Sequence, residues 1–211
     1  MKTPLILIGG GGHCRSCIDV IESTDTFSIE GILDEAAAPG SEVLGYKVLG
    51  NDSLVPGLTA KGYTFLITVG HIKSAAARIK IFDSLRLCGS TLATVVASSA
   101  RVSRHAKIGV GTIVMHGGQV NAGAKVGVNT ILNTGSLVEH DAIVGDHVHL
   151  STHAVVNGGA AIGNASFIGS NAVVSQACRV APCTVIGAAS VVIRNITEAG
   201  TFVGNPAKRI S

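Results

Sequence analysis

From Val96 to Val192 every sixth residue is aliphatic, seventeen in succession with no slip. A second register lies two positions earlier, from Ala100 to Ser190. It holds Ala, Gly, Ser, Thr or Cys throughout, Val148 excepted. A period of six suits neither an α-helix nor a plain sandwich strand. It suits a solenoid of short strands and tight turns. The aliphatic side chain points inward, the small residue lets a corner close, and each strand bonds to the coils above and below. Three such sides make one coil, so a residue stacks on its counterpart three repeats further along the same face. Gly or Asn often follows the aliphatic, as at Gly109, Asn121, Gly127, Gly145 and Gly163. Those types tolerate left-handed backbone, which assigns the turn to that position.

The first half reads differently. Residues 4–8 form a buried strand, followed by Gly9 to Gly12 and His13, then a helix to about Ser23. A second strand ends at Asp34 and Glu35, a third covers 64–70, and a helix covers 74–87. This is an α/β, Rossmann-like half-sheet over residues 1–92, ahead of a β-helix over 93–211. Backbone N–H groups at the start of the first helix suit a phosphate, and an acid at the end of the second strand suits a ribose hydroxyl. The dinucleotide pattern is incomplete, because Cys14 stands where its third glycine belongs. The chain is also too short for a second nucleotide half, which argues against an NAD dehydrogenase.

Composition removes several other classes. A net charge of +3 and 3% aromatic residues argue against nucleic acid and anionic membranes as partners. The 46% of apolar residues excludes a disordered chain. No apolar run approaches the roughly 20 residues of a membrane helix, and the N-terminus makes a poor signal peptide. Five cysteines, an odd number, are expected as free thiols in a reducing cytoplasm. Cys14 and Cys17 have no second CxxC to complete a metal site. The histidines at 140, 147, 149 and 153 lack the spacing of a zinc carbonic anhydrase on a β-helix, so no metal is expected.

The hexapeptide run resembles the left-handed parallel β-helix of hexapeptide-repeat acyltransferases; the left hand comes from that resemblance alone. A glycine-rich nucleotide-type domain ahead of such repeats is similar to the nucleotide-amino-sugar N-acetyltransferases. That family includes UDP-N-acetylbacillosamine and perosamine N-acetyltransferases, with sialic acid O-acetyltransferases as relatives. The resemblance covers essentially the whole chain. It implies acetyl-CoA as co-substrate, a nucleotide-linked 4-amino-4,6-dideoxy sugar as acceptor, and active sites between neighbouring subunits of a homotrimer. Surface glycan synthesis is the implied pathway. Acetylation of a sugar hydroxyl, or a non-catalytic nucleotide-sugar-binding solenoid, are the alternatives.

The segment Asn133-Thr-Gly-Ser-Leu-Val-Glu-His140-Asp141 resembles the family segment whose histidine is the general base. An imidazole with a pKa of roughly 6.5 can take a proton from an attacking amine near neutral pH. The resemblance makes Asp141 its orienting acid, ahead of Glu139. It makes His149 a hydrogen-bond donor to the thioester carbonyl, and Gly158, Ser170, Ala188 and Lys208 further coenzyme contacts. On the nucleotide side it implies Gly11, Gly12, His13, Asp34, Glu35 and Gly70. His71 stands where the family has Asn or Asp. Its arginine position falls on Ala75, with Arg78 as the replacement on the same helical face.

Overall fold

A computed structural model describes residues 1–211. Strand β1 (Thr3–Ile8) is followed by α1 (Gly12–Glu22), β2 (Phe27–Leu33), β3 (Glu42–Val43), β4 (Tyr46–Gly50), α2 (Val55–Ala60), β5 (Thr64–Ile67), α3 (Ala76–Leu87) and β6 (Thr91–Leu92). They form one sheet in the order β3-β4-β2-β1-β5-β6, parallel except for the β3–β4 hairpin. The hairpin and α2 add to the sequence expectation, and the third strand stops at Ile67. Leu5, Leu7, Cys14, Cys17 and Ile18 are wholly buried between β1 and α1. Burial pushes the Cys17 thiol up to about 12, which leaves it protonated and inert.

The second half is the three-sided prism the repeat demands, a left-handed parallel β-helix. Its rungs are two residues long. The first face stacks Val95–Val96, Ile113–Val114, Ile131–Leu132, His149–Leu150, Phe167–Ile168 and Val185–Ile186, each paired with the rung one coil further on. The second face runs from Arg101–Val102 to Val191–Val192, and the third from Lys107–Ile108 to Arg179–Val180. Aliphatics from Val114 to Val192 fill the interior, with the small residues Ala124, Ala142, Ala154, Ala160 and Ala172 beside them. Each buried aliphatic contributes on the order of 1.5–3 kcal/mol. Val96, Val102 and Ile108, in the first coil, are only partly covered.

The turn does not lie where the sequence placed it. Left-handed backbone occurs at every sixth residue from Gly111 to Ala189, three positions after the aliphatic, not one. The glycines that directly follow the aliphatics answer to crowding. A Cβ on Gly163 would clash with the Pro182 nitrogen, and one on Gly127 would lie 2.6 Å from the Asp146 nitrogen. One coil's backbone rests on the next at this corner.

The two halves share a seam along the first face. Val95, Ile113 and Ile131 point outward from the prism into the cluster that holds α1. Arg78 is fully buried there. Its Nη1 donates to the Ile67 and Val69 carbonyls, both at 2.8 Å, and its Nε to the Asn129 carbonyl at 3.1 Å. This arginine therefore braces β5 and the prism and is not free to replace a nucleotide ligand. Around it lie His13, His71, His147 and His149. Burial first, and then the Arg78 charge among other causes, pulls His13 and His71 down to about 4. Burial lowers His149 to about 3 against the opposing Nδ1 bond to His71.

Gly163→Ala forces backbone against backbone and is expected to lower unfolding free energy by up to about 3 kcal/mol. Gly159→Ala enters open space at a φ of +64, which Ala165 and Ala177 already adopt, at a penalty of about 1 kcal/mol. Urea melts of the two variants check the order. The seam also ties stability to pH. Imidazoles neutral in the fold but protonated when unfolded contribute stability above about pH 6.5 that is lost as pH falls toward their depressed values. Each of the three lowest rings adds a slope of up to about 1.4 kcal/mol per pH unit. A melting temperature that stayed constant from about pH 6.5 to about pH 4.5 would contradict this.

Candidate active site

His140 sits on the corner between the second and third faces, just after the rung Leu137–Val138. Its side chain is 62% exposed, and its Nδ1 is 3.0 Å from Asp141 Oδ2. A neutral ring bonded this way donates from Nδ1 and leaves Nε2 as the basic atom. The Asp141 hydrogen bond, opposed only by slight desolvation, raises the His140 pKa above its ordinary value. Glu139 accepts the His140 backbone N–H at 3.1 Å, and its charge adds to the rise without a hydrogen bond to the ring. Asp141 takes left-handed backbone, φ 58, which turns its carboxylate back onto the ring.

Two glycines make this possible, each one coil away from the side chain it accommodates. A Cβ on Gly158 would meet His140 Nε2 at 2.6 Å, and a Cβ on Gly123 would meet Asp141 Oδ1 at a clashing distance. Gly158 thus lies one coil above, against the imidazole, on the same corner as His140 and apart from the other expected coenzyme contacts. Stepping one coil along the sequence from each member of the pair would have found both glycines.

His149 precedes the inward Leu150 and so points outward from the first face, but loop 70–75 covers it to 7% exposure. Its Nδ1 donates to the His71 carbonyl at 2.7 Å. A carbonyl only accepts, so Nδ1 carries the proton and Nε2 of the neutral ring does not. The expected donation from His149 to a thioester carbonyl is therefore corrected: Nε2 is an acceptor. His13 lies 5.9 Å from His149 and His71 lies 5.5 Å from it, centroid to centroid, with Phe167 closing the group. Gly70 packs against the His13 ring. His71 entered the sequence reading only as a departure, because nothing local to it signals contact with a residue 78 positions away.

The remaining positions fall on the His149 side. Ser170 Oγ is 2.9 Å from Ser151 Oγ, and Ala188 is one coil above, at the corner between first and second faces. Lys208 is exposed in a tail strand paired to Thr201–Val203, which extends the first face. Gly11 and Gly12 open α1 beside His13. Asp34 accepts N–H groups from Gly10 at 2.6 Å and from Ala36 and Ala37 at 2.8 Å, which hold its carboxyl below the usual range despite partial burial. It fastens the glycine loop to the end of β2. Glu35 accepts the Asp52 N–H at 3.3 Å. A cleft of about 230 Å³ opens here between Ile8, Leu33, Val69 and Ile81, rimmed by Asp34, Glu35 and Asp52.

A triangular prism sets the corner between its second and third faces opposite its first. His140 and His149 therefore lie on opposite sides of the prism, and one chain does not bring them together. No group of three or more His, Cys, Asp or Glu side chains is placed to hold a metal, and no helix is long and apolar enough to cross a membrane.

The model of the PglD N-terminal domain matches residues 4–85. No curated protein sequence gives a significant match. Among solved structures, a variant of perosamine N-acetyltransferase from Caulobacter crescentus, in complex with CoA and GDP-perosamine, is 30% identical with a TM-score of 0.92. The match covers 100% of this chain and 98% of that one. The acetyltransferase domain of PglB from Neisseria gonorrhoeae, in complex with acetyl coenzyme A, is 28% identical with a TM-score of 0.91 and 100% coverage of both chains. WeeI from Acinetobacter baumannii shares the fold, at 22% identity and a TM-score of 0.87, over 99% of this chain and 100% of that one. The chain belongs to the hexapeptide-repeat sugar N-acetyltransferases that carry a PglD-type N-terminal domain.

Proposed function

We propose that the protein transfers the acetyl group of acetyl-CoA to the amine of a nucleotide-linked 4-amino-4,6-dideoxy sugar. Residues 1–92 hold the nucleotide through Gly11, Gly12, His13, Asp34, Glu35 and Gly70, and residues 93–211 carry out the transfer. The enzyme works as a homotrimer in a reducing, cytoplasmic setting that suits its five free thiols. The relatives support the substrates: one is bound to CoA and GDP-perosamine, another to acetyl coenzyme A.

The observation that carries the mechanism is the exposed His140–Asp141 pair, 3.0 Å apart. The sugar amine attacks the thioester carbonyl carbon. His140 Nε2 takes the departing N–H proton, the carbon–sulfur bond breaks, and the proton passes to the leaving thiolate. No acyl-enzyme forms. Asp141 holds the ring and stabilises its protonated form. His149, neutral and unprotonated at Nε2, accepts an N–H from the bound substrates, while Ser170, Ala188 and Lys208 follow the coenzyme arm up the same side. Because the two histidines point from opposite sides of one prism, a neighbouring copy closes each site.

His140→Ala is expected to lower kcat by on the order of 10²-fold or more while coenzyme affinity is kept. Undiminished turnover would refute the base. The base must be unprotonated, so kcat/KM rises with pH through the raised His140 value. Asp141→Asn removes the largest cause of that rise and moves the acid limb to lower pH, as a pH–rate profile reads. Co-expression of His140→Ala with His149→Ala tests the shared site. Random mixing leaves about a quarter of sites intact if each takes one histidine from either copy, and none if both come from one chain.

A further inference from the structure

Below His140 the prism flank opens into a groove of about 600 Å³ lined by Arg101, Arg104, His105, Asn121, Glu139 and His140 among others. Position 104 stacks under 122 and 140, because successive coils lie in register. At a rung spacing of about 4.8 Å, Arg104 starts roughly 9.6 Å beneath the base, with only the Ala122 methyl between them. Both arginines are exposed. Neither takes part in any of the protein's four ion pairs, which use Lys2, His116, His140 and Arg209.

Glu139, the carboxylate in this groove, is committed elsewhere. It accepts the His140 backbone N–H, and the Asn121 amide, followed by that N–H, holds its carboxyl below the usual range. Two free guanidinium groups therefore lie on the floor with the base on the rim. The nucleotide cleft of the N-terminal half has the opposite character. Its charged lining is Asp34, Glu35 and Asp52, with no cationic side chain. A diphosphate at the start of α1 meets backbone N–H groups and a partial positive charge there, but two full negative charges call for more.

We infer that Arg101 and Arg104 form an anion subsite for the diphosphate of the nucleotide sugar whose amine is presented to His140. The inference rests on the function proposed above. The nucleotide is held by the N-terminal half of a second copy, since this corner lies opposite the face that carries its own. A guanidinium fork matches phosphate oxygens two at a time. The two coils between Arg104 and His140, about 9.6 Å, leave room for a sugar ring between the amine and its anomeric phosphate.

The test is steady-state kinetics with two acceptors: a nucleotide diphosphate amino sugar and the methyl glycoside of the same amino sugar. Arg101→Gln with Arg104→Gln should raise KM for the nucleotide sugar about 10-fold to 100-fold. KM for acetyl-CoA, and kcat/KM for the methyl glycoside, should change little. Arg104→Lys should recover part of the loss. An unchanged KM for the nucleotide sugar would overturn the subsite. So would an equal loss on both acceptors, or dissociation of the double variant on size exclusion, either of which marks a structural role. If the unmodified enzyme acetylates no nucleotide amino sugar, the proposed function itself fails, a separate result.

Discussion

A two-residue rung cannot satisfy its own peptide groups, so each rung of the prism bonds to the rungs one coil before and one coil after it. Val114, for example, pairs with Val96 below and Leu132 above. This ladder turns sequence separation into spatial address. Residues one coil apart share a vertical column, and residues one repeat apart occupy neighbouring sides. The columns then decide what each side chain touches. His140 packs under Gly158 and Asp141 over Gly123 because those are the next coil's and the previous coil's residues at the same address.

Much of this was legible in the sequence because the period is unbroken. The aliphatic register named the interior residues, and the absence of insertions gave a prism without side loops. The position of the turn was not legible. A Gly or Asn invites a left-handed reading wherever it stands, yet Gly163 is there because the backbone of Pro182 leaves no room for a Cβ. The true left-handed position is held by Asp141, His147, His153 and Ala165 as readily as by glycine. The packing of the ladder overrides local preference there. The β3–β4 hairpin was missed for a simpler reason: a strand as short as Glu42–Val43 carries no measurable alternation.

The candidate site divides in the same way. His140 and Asp141 are adjacent in sequence, so their pairing needed no tertiary information. The six-residue register points His149 out of the prism, but its chemistry depends on the His71 carbonyl, which reaches it only because loop 70–75 docks on the first face. That contact fixes the proton on Nδ1 and reverses the expected polarity of Nε2. The place of Arg78 was not legible for a related reason. Helical spacing put it on the right face of α3, but whether a guanidinium faces a ligand or backbone carbonyls is settled by the neighbouring half of the molecule.

The environments of the two histidines separate the roles proposed for them. His140 is exposed beside a carboxylate, which favours its protonated form. His149 is enclosed among other imidazoles near the buried Arg78 charge, which disfavours protonation. Divergent values of this kind are how one scaffold assigns a proton acceptor and a neutral hydrogen-bonding partner. Each environment excludes the other. The seam that keeps His149 neutral leaves it only 7% exposed, so it cannot also offer the freely exposed base proposed at His140. Placing the base on the far corner resolves the conflict, provided that a second copy brings its own seam alongside. Association is then a requirement of the proposed chemistry as much as of stability, because one prism cannot offer both environments to one substrate.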